Sequence, residues 1–255
     1  MGFLDAVLLG LLEGATEFLP VSSTGHLILA QHLLGVVESP FTTSFLIAIQ
    51  LGAIAAVIVS FWRSFLDLEV LKRLLTAFIP TAIIGFVLYK LIKGFLLGSE
   101  LTVVIALLVG GILLIVFEYF HTERADGTDS LRAISYRQAF TIGLFQSIAV
   151  IPGVSRSGAT IVGGLLLGMR RAAIVEFSFL LAVPTMLAAT GYDLLKTYST
   201  FETGDIGIMA VGIATAFVVA MLSLRFLLNF VKTRTFIPFG IYRILLALVF
   251  FAFVL

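Results

Sequence analysis

Apolar residues in this chain fall into runs of two lengths, and the order of short and long runs occurs twice. Residues 3–12 form an apolar run of about ten residues, and Leu27 to Val37 form another. A ten-residue helix rises about 15 Å, half of the roughly 30 Å of hydrocarbon in a bilayer. Between the two runs, Pro20 and Gly25 break the chain within a polar segment. Three longer runs follow at 41–62, 76–95 and 101–120, and then a polar stretch from His121 to Gln138. The pattern restarts with short runs at 139–151 and 158–169 around a second polar segment. It continues with long runs at 174–195, 206–229 and 237–255. This predicts an all-α polytopic membrane protein in two halves, 1–120 and 139–255. Each half holds a re-entrant helical hairpin (about 3–37 and 139–169) and three transmembrane helices. Non-helical backbone at membrane depth is tolerated only where protein or a water-filled cavity surrounds it.

The restart is a repeat. At an offset of 133, Gly10-Leu11 aligns with Gly143-Leu144, Val21-Ser22 with Val154-Ser155, and Gly25 with Gly158. After a one-residue slip, Ser44-Phe45-Leu46 aligns with Ser178-Phe179-Leu180. Three crossings per half is odd, so the second half enters the bilayer inverted, as in many transporters whose broken segments meet near the midplane.

Composition agrees with the pattern. Hydrophobic residues make up 60% and charged residues 12%, against roughly 45–50% and about 25% in soluble domains. The mean hydropathy is +1.15, which leaves too little polar surface for a water-facing body and no basic surface for nucleic acid. With no cysteine, disulfides, thiolate metal sites and thiol nucleophiles are excluded. The N-terminus lacks a basic stretch and carries Asp5, so it does not read as a cleaved signal peptide. Twelve of the 16 basic residues fall on the side opposite the N-terminus, from Arg63 through Arg243; Lys90, Lys93 and Lys196 fall on the other. The positive-inside rule then puts both termini outside the cell.

Candidate chemistry is concentrated in the two breaks. The first reads Glu13-Gly-Ala-Thr-Glu-Phe-Leu-Pro-Val-Ser-Ser-Thr-Gly-His26. Glu13 and Glu17 stand at i, i+4, and two like charges at depth require a cation, Arg156 or protonation to offset them. Two carboxylates and phosphate oxygens suit a hard divalent cation, Mg²⁺ or Ca²⁺. Ser22, Ser23, Thr24 and Gly25 have the look of a helix N-terminus, where hydroxyls cap and free N–H groups attract an anion. His26 is a candidate for acid–base or nucleophilic work. Ser23 attacking with His26 as its base, His26 attacking directly, and attack by water all remain open.

The second break reads Pro152-Gly-Val-Ser-Arg-Ser-Gly-Ala-Thr160. Arg156 there needs Glu13, Glu17 or a bidentate phosphate as partner. Ser155, Ser157 and Thr160 add donors, and Gly153 and Gly158 let backbone N–H groups approach. Gln146, the repeat counterpart of Glu13, is expected to hydrogen-bond behind the site. Gln50, Glu118, Glu176 and Arg243 are expected to make interhelical or interfacial contacts.

These two segments, in this order and separation, resemble the bacterial undecaprenyl-pyrophosphate phosphatase family of the bacitracin-resistance type. The likeness continues through Glu176-Phe-Ser-Phe-Leu-Leu-Ala-Val-Pro184 and Tyr242-Arg-Ile. It implies an inner-membrane enzyme that dephosphorylates the C55 polyprenyl pyrophosphate of cell-wall assembly and regenerates the monophosphate carrier. It implies functional positions for Glu13, Glu17, Ser23, His26 and Arg156, supported by Ser22, Thr24, Ser155, Ser157 and Thr160. A flippase for undecaprenyl phosphate or a related anion is the rival reading, favoured by the inverted repeat. A type-2 phosphatidic acid phosphatase requires a His after its motif Arg, and no His follows Arg156. The sequence leaves the oligomeric state open, a homodimer included.

Overall fold

The computed structural model describes residues 1–91, 99–124, 126–197 and 203–253. All regular elements among them are helices. Residues 92–98 and 198–202, expected on the side of the chain that holds the N-terminus, lie outside the described residues, Lys93 among them.

The first short runs become α1 (Phe3–Thr16) and α2 (Ser23–Leu33), which pack on each other across a non-helical turn. At 14 and 11 residues neither can cross a bilayer, since each residue contributes about 1.5 Å. The second pair is α8 (Tyr136–Ser147) and α9 (Arg156–Leu166), also in mutual contact. α8 begins with a capping box, the Gln138 N–H donating to Ser135 Oγ at 3.1 Å and the Ser135 N–H to Gln138 Oε1 at 2.9 Å. A 3-10 turn, Ile148–Val150, ends it.

The long runs differ from expectation mainly at their ends. The 41–62 run is α3 (Pro40–Ala48) and α4 (Gln50–Ser60), joined at Ile49 and followed by the short α5 (Trp62–Phe65). Ser39 starts α3 by accepting from the Thr42 N–H at 3.1 Å, with Pro40 in the first turn, where its missing N–H costs nothing. The 76–95 run is α6 (Leu68–Leu91), which begins eight residues earlier than the hydropathy suggests. Its first turns carry Glu69, Lys72 and Arg73, which pair along the helix, so charge hid the start. Asp67 caps it, accepting from the Glu69 N–H at 3.0 Å. Arg132 bonds the same carboxyl, the main reason it is held below the usual carboxylate range.

α7 (Glu100–Phe120), α10 (Arg171–Thr197), α11 (Thr203–Phe230) and α12 (Ile237–Phe253) complete the chain. Among the described residues five segments are long and apolar enough to span a membrane: Pro40–Ser60, Leu68–Leu88, Glu100–Phe120, Arg171–Tyr192 and Asp205–Phe230. α12 is shorter, at 17 described residues. The core is built of Phe, Leu, Ile, Val and Ala, including Phe18, Phe177, Phe179 and Phe236, while Phe86, Val109, Leu113 and Leu222 face outward. α7 and α12 approach backbone to backbone: a Cβ on Gly111 would lie 2.7 Å from Gly240 O, and one on Gly240 2.8 Å from Gly111 O.

The linker after α7 is tied to the second hairpin at Thr128. Thr128 pairs with the end of α9, its N–H donating to Gly168 O at 3.1 Å and its carbonyl accepting from the Arg170 N–H at 2.8 Å. Glu118 makes the expected interhelical contact. It takes both arms of Arg171, at 2.5 and 2.8 Å, and the Phe236 N–H at 2.9 Å, tying α7 to α10 and to the start of α12. Breaking a buried pair costs roughly 3–5 kcal/mol, because the surviving charge is stranded. Glu118→Ala should therefore lower the thermal unfolding midpoint of the detergent-solubilised protein by more than any exposed substitution, such as Arg132→Ala. Equal midpoints for the two variants would show that the Glu118 network is dispensable.

Candidate active site

Arg156 is the first residue of α9, and Glu17 follows α1. They meet at 2.7 Å, Arg156 Nη2 donating to Glu17 Oε1, with both side chains mostly shielded (13% and 8% exposed). Arg156 Nη1 donates to Ser178 O at 2.9 Å, and the guanidinium sits over the Phe18 ring. Its Nε–H is buried without a partner. The other oxygen of Glu17 accepts from Ser23 Oγ at 2.5 Å. Ser23, Glu17 and Arg156 thus form one hydrogen-bonded line across the two breaks.

A cavity of about 140 Å³ opens beside this line, lined by Glu17, Ser22, Ser23, Thr24, Gln50, Ala149, Val154, Ser155, Arg156 and Met186. Thr24 and Gln50 also line a second, larger groove of about 440 Å³ with mostly apolar walls, among them Leu27, Ile28, Leu46, Ile47 and Val103. The groove runs to Val36, Glu38, Ser99 and Glu100.

The two helix N-termini at the site differ. Ser155 caps α9, accepting from the Gly158 N–H at 3.0 Å, so that N–H is already used. α2 has no side-chain cap. Its N-cap residue, Ser22, has φ +68°, the single non-glycine residue with positive φ among those described. The hydroxyl cap expected at the first break is therefore absent, and the second break has one instead. An uncapped helix N-terminus in low dielectric attracts an anion.

His26 stands apart from Ser23. Its Nδ1 lies 2.8 Å from Ser22 O and its Nε2 2.8 Å from the Tyr242 hydroxyl, with the two rings 9° from parallel. Neither His26 nor Glu13 lines the cavity. Ser157 is fully buried and donates to Leu19 O at 2.8 Å. Thr160 Oγ1 lies 2.5 Å from Ser178 Oγ and bonds to Arg156 O and Ser157 O. Gly25 packs on Leu107. These side chains brace the breaks and do not reach the cavity. Gln146 donates to Thr81 and Thr185, at 2.9 and 3.0 Å, away from the cluster.

Glu13 is fully buried, and neither of its carboxylate oxygens has a partner. No group of three or more His, Cys, Asp or Glu residues that could hold a metal occurs among those described. Glu13 and Glu17 alone supply hard oxygen donors, the type that Mg²⁺ or Ca²⁺ takes. Gln50, expected from the sequence only as an interhelical or interfacial contact, lines the cavity with Met186, and Tyr242 lies behind it. They lie in apolar runs, and only tertiary packing brings them here.

Fold and site define an integral membrane protein with a buried carboxylate–hydroxyl–guanidinium cluster where two broken hairpins meet. Residues 6–249 match the family model described as Bacitracin resistance protein BacA, and the chain belongs to that family. It is 53% identical to a protein of Aquifex aeolicus (strain VF5) named undecaprenyl-diphosphatase, over 98% of both chains. A protein of the same name from Persephonella marina is 51% identical over the whole of both chains. One from Campylobacter jejuni is 49% identical, over 97% of this chain and 93% of the relative.

Arg156 should not accept Lys. The lysine keeps the charge but loses the planar fork that here reaches Glu17 and Ser178 at once. Arg156→Lys should lower kcat/KM for a prenyl pyrophosphate at least about tenfold, equivalent to roughly 1.4 kcal/mol. Wild-type kinetics would reduce Arg156 to a generic counter-charge.

Proposed function

We propose that the chain is an undecaprenyl-diphosphatase of the bacterial plasma membrane, hydrolysing the lipid pyrophosphate to its monophosphate and inorganic phosphate. It would thereby recycle the carrier lipid of cell-wall synthesis and confer bacitracin resistance. The observation that carries this reading is the Ser23–Glu17–Arg156 line beside a cavity with an uncapped helix N-terminus. Family membership and the name its relatives carry support it.

In this reading the pyrophosphate sits between the start of α2 and Arg156, whose unpartnered Nε–H is free to meet a phosphate oxygen. Ser22, Thr24 and Ser155 line the same cavity as further donors. The apolar groove joined to it through Thr24 and Gln50 suits the prenyl chain. Ser23 Oγ attacks the terminal phosphorus and passes its proton to Glu17 Oε2. The bond from that phosphorus to the bridging oxygen breaks, and the electron pair leaves with the prenyl monophosphate. Water then cleaves the phosphoserine, releasing phosphate and restoring Ser23. Glu17, not His26, is the hydrogen-bond partner of Ser23, so it takes the base role that the sequence allowed to His26. Glu13 and Glu17 would hold a divalent cation, Mg²⁺ or Ca²⁺, which supplies charge neutralisation at the pyrophosphate.

We further propose the inverted-topology repeat, with 1–120 and 139–255 as its halves. Its support is an exchange of partners: α1 packs on α11 and α8 on α6, each the corresponding helix of the other half. Gly10 and Gly143, aligned by the repeat, both make close approaches in these pairs: a Cβ on Gly10 would lie 2.6 Å from Gly212 O, and one on Gly143 would collide with Ala77 O. Such a fold is also compatible with flipping the product, though only the hydrolytic cluster has a specific observation behind it. The termini are assigned to the outside, and the groove end at Val36 and Ser99 opens the site there.

Two experiments test this. Detergent-solubilised protein given prenyl pyrophosphate labelled at the terminal phosphate should release labelled phosphate, lose turnover in a strong chelator, and carry an acid-stable label that vanishes in Ser23→Ala. No release sinks the phosphatase. Undiminished turnover in chelator sinks the metal, and a label kept in Ser23→Ala sinks the nucleophile. For orientation, the cysteine-free chain allows single reporters. In intact cells an impermeant thiol reagent should modify Val37→Cys and spare Ser130→Cys, and the reverse pattern would invert the topology.

A further inference from the structure

Arg243 lies on α12, 3% exposed, and its recorded partners are four backbone carbonyls and no carboxylate. Nη2 donates to Ala106 O at 2.9 Å and to Gly153 O at 3.2 Å; Nη1 donates to Pro20 O and Nε to Leu107 O, both at 3.4 Å. Pro20 stands two residues before Ser22 in the first break. Gly153 stands two residues before Ser155 in the second, at φ +89°. One planar guanidinium therefore touches both breaks and the span α7 together. Its neighbour Tyr242 reaches the first break by another route, through His26 to Ser22 O. A carbonyl only accepts, so Nδ1 of His26 carries the hydrogen, and in the neutral ring the Tyr242 hydroxyl donates to Nε2. Ser22, held at φ +68°, is the residue before Ser23. Opposite Arg243, α7 makes room with Gly110, where a Cβ would fall on Nη2.

We propose that Arg243 is a positioning residue for the reaction: its fork locks the Pro20 and Gly153 turns to each other and so fixes Ser23 and Glu17 against Arg156. The charge of the guanidinium keeps these carbonyl bonds strong in low dielectric, and its planarity lets one group serve several acceptors. Lysine, with a single nitrogen, cannot span the same acceptors. The kinetic part of this proposal rests on the phosphatase reading; the geometric part does not.

Two substitutions approach the clamp from opposite sides. Arg243→Lys removes the fork. Gly110→Ala leaves Arg243 intact and charged but displaces the guanidinium, in a helix where alanine is the better former. If Arg243 positions the reacting groups, both should lower kcat for prenyl pyrophosphate at least about tenfold while KM stays within about threefold. A second readout needs no activity. Spin labels on Thr24→Cys and Ile151→Cys, one exposed position by each break, report the separation of the turns. Their narrow distance distribution should broaden in both variants, with kinetics read on the unlabelled chain. Wild-type kcat in Gly110→Ala with an unbroadened distribution overturns the proposal. So does a loss of kcat without broadening, which would separate the effect from the spacing of the two breaks. If Arg243→Lys fails to accumulate in the membrane, Gly110→Ala decides alone. A wild-type chain that releases no phosphate overturns the phosphatase reading, and the label distances still decide the clamp.

Discussion

Hydrocarbon offers no hydrogen bonds, so a helix interrupted at membrane depth leaves backbone groups that only protein can satisfy. Here two interruptions satisfy one another. Ser157 of the second donates to Leu19 O of the first, and Arg243 reaches Pro20 O and Gly153 O together. Ser22 O, beside the strained backbone of the first break, is taken by His26. This mutual repair holds the breaks together, and the functional side chains ride on it. Glu17 and Arg156 are 139 residues apart in sequence and 2.7 Å apart in space because the turns that carry them complete each other.

The repair is deliberately incomplete at a few atoms. Most buried polar groups in folded proteins find partners, so the exceptions carry information. Glu13 keeps two carboxylate oxygens unpaired, and Arg156 keeps its Nε–H. Arg156 lines the cavity, and Glu13 stands a helical turn before Glu17. A cluster that satisfied itself entirely would be a structural pin. One that leaves Arg156 short of an acceptor and Glu13 short of any partner is more than such a pin.

How much of this was legible depended on distance along the chain. The short and long apolar runs gave the hairpins and spans because each is a local pattern. α6 was misjudged at its start because Glu69, Lys72 and Arg73 pair locally and mask eight helical residues. Glu17, Ser23 and Arg156 could be singled out as polar residues where polarity is expensive. That Ser23 turns to Glu17, and His26 to Tyr242, could not. Both depend on the path of a turn with Ser22 at positive φ, and a serine at such an angle has no sequence signature. Gln50, Met186 and Tyr242 sit in apolar runs, where side chains facing lipid and side chains facing a cavity look alike.

The two halves, if they descend from one repeated unit, have not kept the same chemistry. Glu13 aligns with Gln146: the first carries two orphaned carboxylate oxygens, while the second donates its amide N–H groups to Thr81 and Thr185, each the residue after a proline within a spanning helix, and leaves one carbonyl oxygen unpaired. Ser22 aligns with Ser155: the first leaves α2 uncapped, while the second closes α9. The first half thus has an uncapped helix N-terminus and two unpartnered carboxylate oxygens, and the second a capped helix terminus and a guanidinium. A symmetric pair of either kind would fail. Two open halves would place like charges together without Arg156, and two sealed halves would leave no donor for a ligand. Divergence at these positions turns a junction that must exist for reasons of backbone satisfaction into one with a direction, acceptors on one side and a guanidinium on the other.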